Sequence, residues 1–217
     1  QLFSKQQKVW WEAHRPLGIM VENHEEARPQ SGISSADIVY EVVAEGGITR
    51  LVAIFYCQDG GVVGPIRSAR TYFIDFISEY GDKPLYVHVG GANRDGPADA
   101  LEQLMDYGWR LENDLNLSFD EGTGFPVSWR DYERVGHVVD TEHTYYSTTE
   151  KLWKFAAESR KLTHVDESGR PWDKTFVPWQ FKDDAKEGER GSSLPSFGFW
   201  KGYSQYEVKW QYDNTTN

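Results

Sequence analysis

With one cysteine in 217 residues, the chain has no internal disulfide and no cysteine-built zinc cluster. That thiol, Cys57, stands in the apolar run LVAIFYC and reads as a packed side chain rather than a nucleophile. Positive charge is also scarce: 23 Lys and Arg face 34 Asp and Glu, a formal charge of −11. Proteins that hold nucleic acid need cations to displace phosphate counterions, so no nucleic-acid partner is expected. The same charge disfavours lying flat on an anionic bilayer. No run approaches the roughly 20 apolar residues of a membrane span. The opening QLFSKQQK is not a signal peptide, so any leader or anchor is expected to be absent from this chain. HExxH, histidine pairs three or four apart, calcium-type carboxylate ladders, GxSxG and Walker loops are all missing. No metal and no cofactor are therefore expected.

What the chain does have is aromatic bulk, 15% with nine Trp, and 39% apolar residues, enough for a core. Residues 1–15 are polar with a Trp pair and read as an N-terminal lead-in. LGIMVEN after Pro16, IVYEVVA at 38–44 and ITRLVAIFYC at 48–57 read as strands, the last two joined as a hairpin through Glu45-Gly46-Gly47. Phe73, Ile74, Phe76, Ile77 and Tyr80 recur at helical spacing, with Ser68 as the expected N-cap. LYVHVGG at 85–91 reads as a doubly covered strand. Residues 98–107 and 148–162 predict two further helices, the second capped by Thr148. The 108–147 stretch predicts only short strands and loops. FVPWQF and YSQYEVKWQYD predict strands of a separate unit. The expected fold is α/β: a mixed sheet with flanking helices over 16–162, followed by part of a β-rich second domain over 163–217.

The chemistry centres on GPIRSAR, residues 64–70. Arg67 precedes a helix whose first N–H groups already favour an anion. Arg70 lies on the same line as Phe73 and Ile77, and an arginine there needs a partner. Two planar forks suit a carboxylate or phosphate. Two readings stay open: an internal ion pair with Glu41, Glu45 or Asp75, or an anion from outside. If the first and fourth strands run parallel to the third, Asn23 and His24, then Gly91 and Asn93, open on the same edge as the arginines. The hairpin geometry predicts Glu45 and Arg50 at one edge and Arg67 at the other. His88 reads as a core histidine.

The blocks RPLGIMVENHEEARPQSGISSADIVYEVVAEGGITRLVAIF, GPIRSARTYFIDF and LYVHVGG, in that order, resemble the YerB-type bacterial lipoprotein family, over about residues 15–160. The resemblance implies an extracytoplasmic place on the outer face of the bacterial membrane. It implies a lipid anchor in the full-length protein that this chain lacks, and a second, β-rich domain of which VKWQYD is the opening. A looser likeness, to the LytR–CpsA–Psr phosphotransferases of the cell wall, rests on arginines after a core strand and a later Gly-Gly segment. The leading expectation is a binding protein for a small anionic or lipid-linked envelope ligand, held by Arg67 and Arg70 with Asn23, His24, Gly91 and Asn93 as the rim. The alternatives are a phosphotransferase or hydrolase acting on a pyrophosphate-linked substrate, with His24 or Asp75 as base, and a scaffold that docks an envelope protein.

Overall fold

The computed structural model describes residues 4–118, 122–183 and 194–211. A helix, α1 (Lys5–Ala13), replaces the expected lead-in. It begins at a capping box in which Ser4 accepts from Gln7 N and the Gln7 side chain accepts from Ser4 N. Then come β1 (Leu17–Glu22), β2 (Ile38–Val43), β3 (Thr49–Phe55), β4 (Val62–Val63), α2 (Thr71–Ser78) and β5 (Leu85–His88). They are followed by α3 (Ala100–Asp106), β6 (Asp114–Asn116), β7 (Ser128–Arg130), β8 (Tyr145–Thr148) and α4 (Thr149–Ser159). A small pair, β9 (Ser196–Phe197) and β10 (Val208–Lys209), lies beyond.

The main sheet has the order β2-β3-β1-β5-β6. β1 runs antiparallel to β3 and parallel to β5. β2 and β3 form the expected hairpin. A second, antiparallel sheet has the order β4-β8-β7. The fold is thus α/β with a mixed sheet and flanking helices, followed by a further β-bearing region.

β1 is central and buried along its whole length, because both faces are covered. Leu17, Ile19 and Val21 share a cluster with Leu152, Trp153, Phe155 and Ala156 of α4. Met20 joins the other face with Phe73, Ile74 and Ile77 of α2 and Leu104 of α3. Burying each large side chain contributes about 1.5–3 kcal/mol. At Gly18 an added Cβ would lie 2.5 Å from Ile77 Cδ1, so α2 packs directly on the backbone of β1. Thr148 caps α4 by accepting from Lys151 N, as the sequence predicts.

Several expectations change. Ser68 is not the cap of α2: the helix begins at Thr71, because Ala69 N is still bonded to Gly90 O in the sheet. FVPWQF forms neither helix nor strand, and within YSQYEVKWQYD only Val208–Lys209 is strand. Residues 184–193 and 212–217 lie outside the described residues. The exits of β1 and β5 do share an edge, but β3 leaves at the other, because β1 pairs with it antiparallel and sets Glu22 opposite Arg50. The β2–β3 turn takes the place of that exit. Residues 56–63 carry the chain back, so Glu45, Arg50 and Arg67 meet at one edge instead of two.

Candidate functional site

The GPIRSAR segment lies across the ends of the parallel pair. Glu22 N donates to Pro65 O and Arg67 N to Met20 O, while Val89 N donates to Arg67 O and Ala69 N to Gly90 O. Its two arginines then diverge.

Arg70 pairs through Nε and Nη2 with Glu45, and its Nη1 donates to Ala69 O. The same carboxylate takes Arg50 Nη2 at 2.9 Å. Arg50 is buried and donates again to Ser68 O, and desolvation lowers its pKa while Glu45 raises it. Of the two readings open for the arginines, the internal pair describes Arg70, with Glu45 as its partner.

Arg67 faces Glu22 and Glu142. Its Nε lies 2.8 Å from Glu22 Oε2, although the N–H is not aligned for a hydrogen bond. Nη1 donates to Glu142 O at 3.2 Å, and Nη2 stands 3.6 Å from the exposed Glu142 carboxylate. Beside this fork opens a hollow of ≈ 120 Å³ lined by Arg67, Ser68, Val89, Arg130, Glu142 and Tyr145, with Ile66. Arg130 stacks its guanidinium 5.0 Å above the Tyr145 ring and donates through Nη1 to Thr141 O and Thr144 Oγ1. Nothing in FPVSWRDY marks Arg130 in the sequence, since a three-residue strand has no periodicity to read.

Glu22 is the hub. Its Oε2 also receives His143 Nδ1 at 2.9 Å, and His143 is 3% exposed. His24 stacks on His143 with centroids 5.1 Å apart. His24 sits at the head of a one-turn helix, Glu25–Ala27, where its Nδ1 accepts from Glu26 N at 3.3 Å.

The other predicted rim residues do different work. Asn23 is buried, with its amide donating to Glu41 and Thr49 and its oxygen accepting from Arg28 and Gln30. Gly91 pairs with Ala69, and a Cβ there would lie 2.7 Å from Leu101 Cδ2, so it serves the packing of α3. Asn93 is exposed in the loop beyond β5 and does not line the hollow. Asp75 is on the exposed side of α2. His88 is fully buried, with Asp114 at 2.6 Å from Nε2 and Gly90 O at 2.6 Å from Nδ1, a core histidine with both nitrogens engaged. Asn116, which heads the sequon Asn116-Leu117-Ser118, is buried and accepts from Gly90 N and Ser118.

A larger hollow, ≈ 740 Å³, lies toward the amino ends of β1 and β5 beside Lys83, Leu111 and Lys161. Its ammonium groups are answered by Glu112 and Glu158 O.

Burial, with the Asp37 carboxylate beside it, pushes the Cys57 thiol up to about 12. The thiolate is the reactive form, so the folded protein should resist iodoacetamide at pH 7–8 and label stoichiometrically once unfolded. Mass spectrometry of both states checks this. Prompt labelling of the native protein would contradict the burial argument.

Among the described residues no helix is long and apolar enough to cross a membrane. Residues 4–163 match the family described as protein of unknown function (DUF3048), N-terminal domain. A Bacillus subtilis (strain 168) protein named "Putative lipoprotein YerB" is 35% identical over 168 residues, covering 75% of this chain and 46% of that protein. The crystal structure of YerB protein from Bacillus subtilis aligns with a TM-score of 0.58 at 31% identity, covering 75% of this chain and 52% of that one. The chain spans about half the length of the relatives it matches.

Proposed function

Because the chain belongs to the DUF3048 family, which has no assigned function, we propose a role from its own geometry: an extracytoplasmic envelope protein that holds one anionic group in the hollow between Arg67 and Arg130. The lipoprotein name of the Bacillus relative supports the place of action. The single observation that carries the anion is the convergence of two guanidiniums and the Ser68 residue on one small hollow. Arg130 stacks on Tyr145, which holds its fork in place at low entropic cost.

At ≈ 120 Å³ the hollow is below the roughly 300–1,000 Å³ of whole-ligand pockets. It suits a terminal phosphate or carboxylate, with the rest of the ligand outside. Glu142 must yield its loose contact with Arg67 as the anion enters. The attraction is local, since the whole chain is strongly negative, so binding should weaken as salt rises.

Inorganic pyrophosphate at about a hundredfold excess over its Kd should raise Tm by roughly 5–10 °C. Arg130→Ala should abolish the rise while leaving the unliganded Tm within about 2 °C, because Arg130 is exposed. Equal shifts in parent and variant, or no shift with phosphate, pyrophosphate or a dicarboxylate, would remove the hollow from consideration.

A further inference from the structure

Three of the six histidines, His24, His137 and His143, gather around the loop that follows β1. Two of them and one carboxylate converge more closely: His24, Glu26 and His143 each offer a ligand atom within 4.8 Å of the other two. We propose that these three side chains bind a divalent metal ion of the Zn²⁺ type.

The donor set is the first argument. Two imidazoles and one carboxylate are the ligands of open zinc sites, which keep a fourth position for water or another group. With tetrahedral bonds of about 2.0–2.1 Å, the donors must draw together by up to about 1.5 Å. His143 Nε2 and Glu26 Oε2 already stand 3.6 Å apart. The other two side chains reach the surface on a short loop and can close on the buried third.

The second, independent argument is the state of His143. It is 3% exposed, and its Nδ1 faces the Glu22 carboxylate at 2.9 Å. An ionised carboxylate only accepts, so Nδ1 carries a proton, which leaves Nε2 as the nitrogen that can offer a lone pair to a metal. That nitrogen makes no hydrogen bond among the described residues; the Glu26 and Glu142 carboxylates stand 3.6 Å and 3.8 Å from it. A carboxylate behind a ligating histidine fixes the tautomer and strengthens the ligand. His24 gives up only the long 3.3 Å contact at its Nδ1, or shifts its proton, to present a lone pair.

Charge supports a cation. Three carboxylates, Glu22, Glu26 and Glu142, stand around the cluster, and Arg67 faces two of them, Glu22 and Glu142. No ligand in the set belongs to Arg67 or Arg130, so the metal site stands whether or not the anion hollow is occupied. The ligands come from residues about 120 apart in sequence, which is why no motif spacing records them.

The test titrates metal-free protein with ZnCl₂ in a calorimeter and with Co²⁺ as a visible-absorption probe. One saturable event per chain is expected, with the intense visible band of a low-coordinate Co²⁺. His24→Ala and Glu26→Gln alter side chains outside the core and should each weaken Zn²⁺ by about tenfold or more, with metal-free circular dichroism unchanged. His164→Ala, at the other end of the sheet, should leave the isotherm as in the parent. No heat and no Co²⁺ band, or binding that survives both His24→Ala and Glu26→Gln, would overturn the assignment.

Discussion

Glu22→Ala is expected to cost about 3–5 kcal/mol of folding stability, the scale for removing one partner from a buried charge cluster. Glu22 is 4% exposed and ends a strand whose other residues are all buried. One of its oxygens faces both Arg67 Nε and His143 Nδ1. Removing it leaves a partly buried guanidinium and a buried imidazole facing each other with no acceptor between them. Arg67 keeps a 21% exposed side chain, so water relieves part of its loss; His143 has little such relief. Glu22→Gln keeps the shape and loses the charge, so it should fall between parent and alanine. A double-mutant cycle with Arg67→Met, read from urea midpoints, should recover a coupling of about 0.5–3 kcal/mol. Additive effects would mean that the two side chains do not share a stabilising contact.

Arg15→Ala should be as damaging, at a position outside any candidate site. Arg15 is 1% exposed and is the largest fully buried side chain. Its partners are carbonyls: Nε donates to Thr163 O, and Nη1 to Asp82 O and Lys83 O. Desolvation pulls its pKa down to about 10 against the raising fields of Asp166 and Asp82. The guanidinium therefore ties the turn before β5 to the segment after α4. Truncation opens a cavity and orphans three acceptors, about 3–5 kcal/mol together. The Trp153 bond to Arg15 O is a backbone contact and should survive. Arg15→Lys should rescue only part, because an ammonium cannot reproduce the planar fork. A loss below about 1 kcal/mol in Arg15→Ala would contradict the tie.

The elements that the sequence makes legible are those with periodicity. β1, β5, α2 and α4 carry unbroken apolar runs or helical spacing, and each forms close to where the pattern places it. The polar opening reads as a lead-in, and α1 is marked there only by one capping pair, Ser4 and Gln7. The strand directions were not legible. Nothing local in LGIMVEN tells whether it meets β3 head-on or in parallel, and that choice decides which loops share an edge. The site divides the same way. GPIRSAR pointed to Arg67, whose fork does border a hollow, and gave Arg70 a partner among the acids named for it. Arg130 and His143 come from the 108–147 stretch, where strands of three and four residues leave no pattern. They meet Glu22 and Arg67 only through long-range packing, which sequence spacing does not carry.

A strand's side chains change sides with every residue. Were β1 to slide one position against β3, Glu22 would swing from Arg67 and His143 toward the layer that holds Val21 and the hydrocarbon of α4. A lone acid in that layer is far costlier than a misplaced leucine. The cluster at the end of β1 therefore proofreads the alignment of the sheet that carries it, and a misaligned chain loses the pocket and the fold in one stroke.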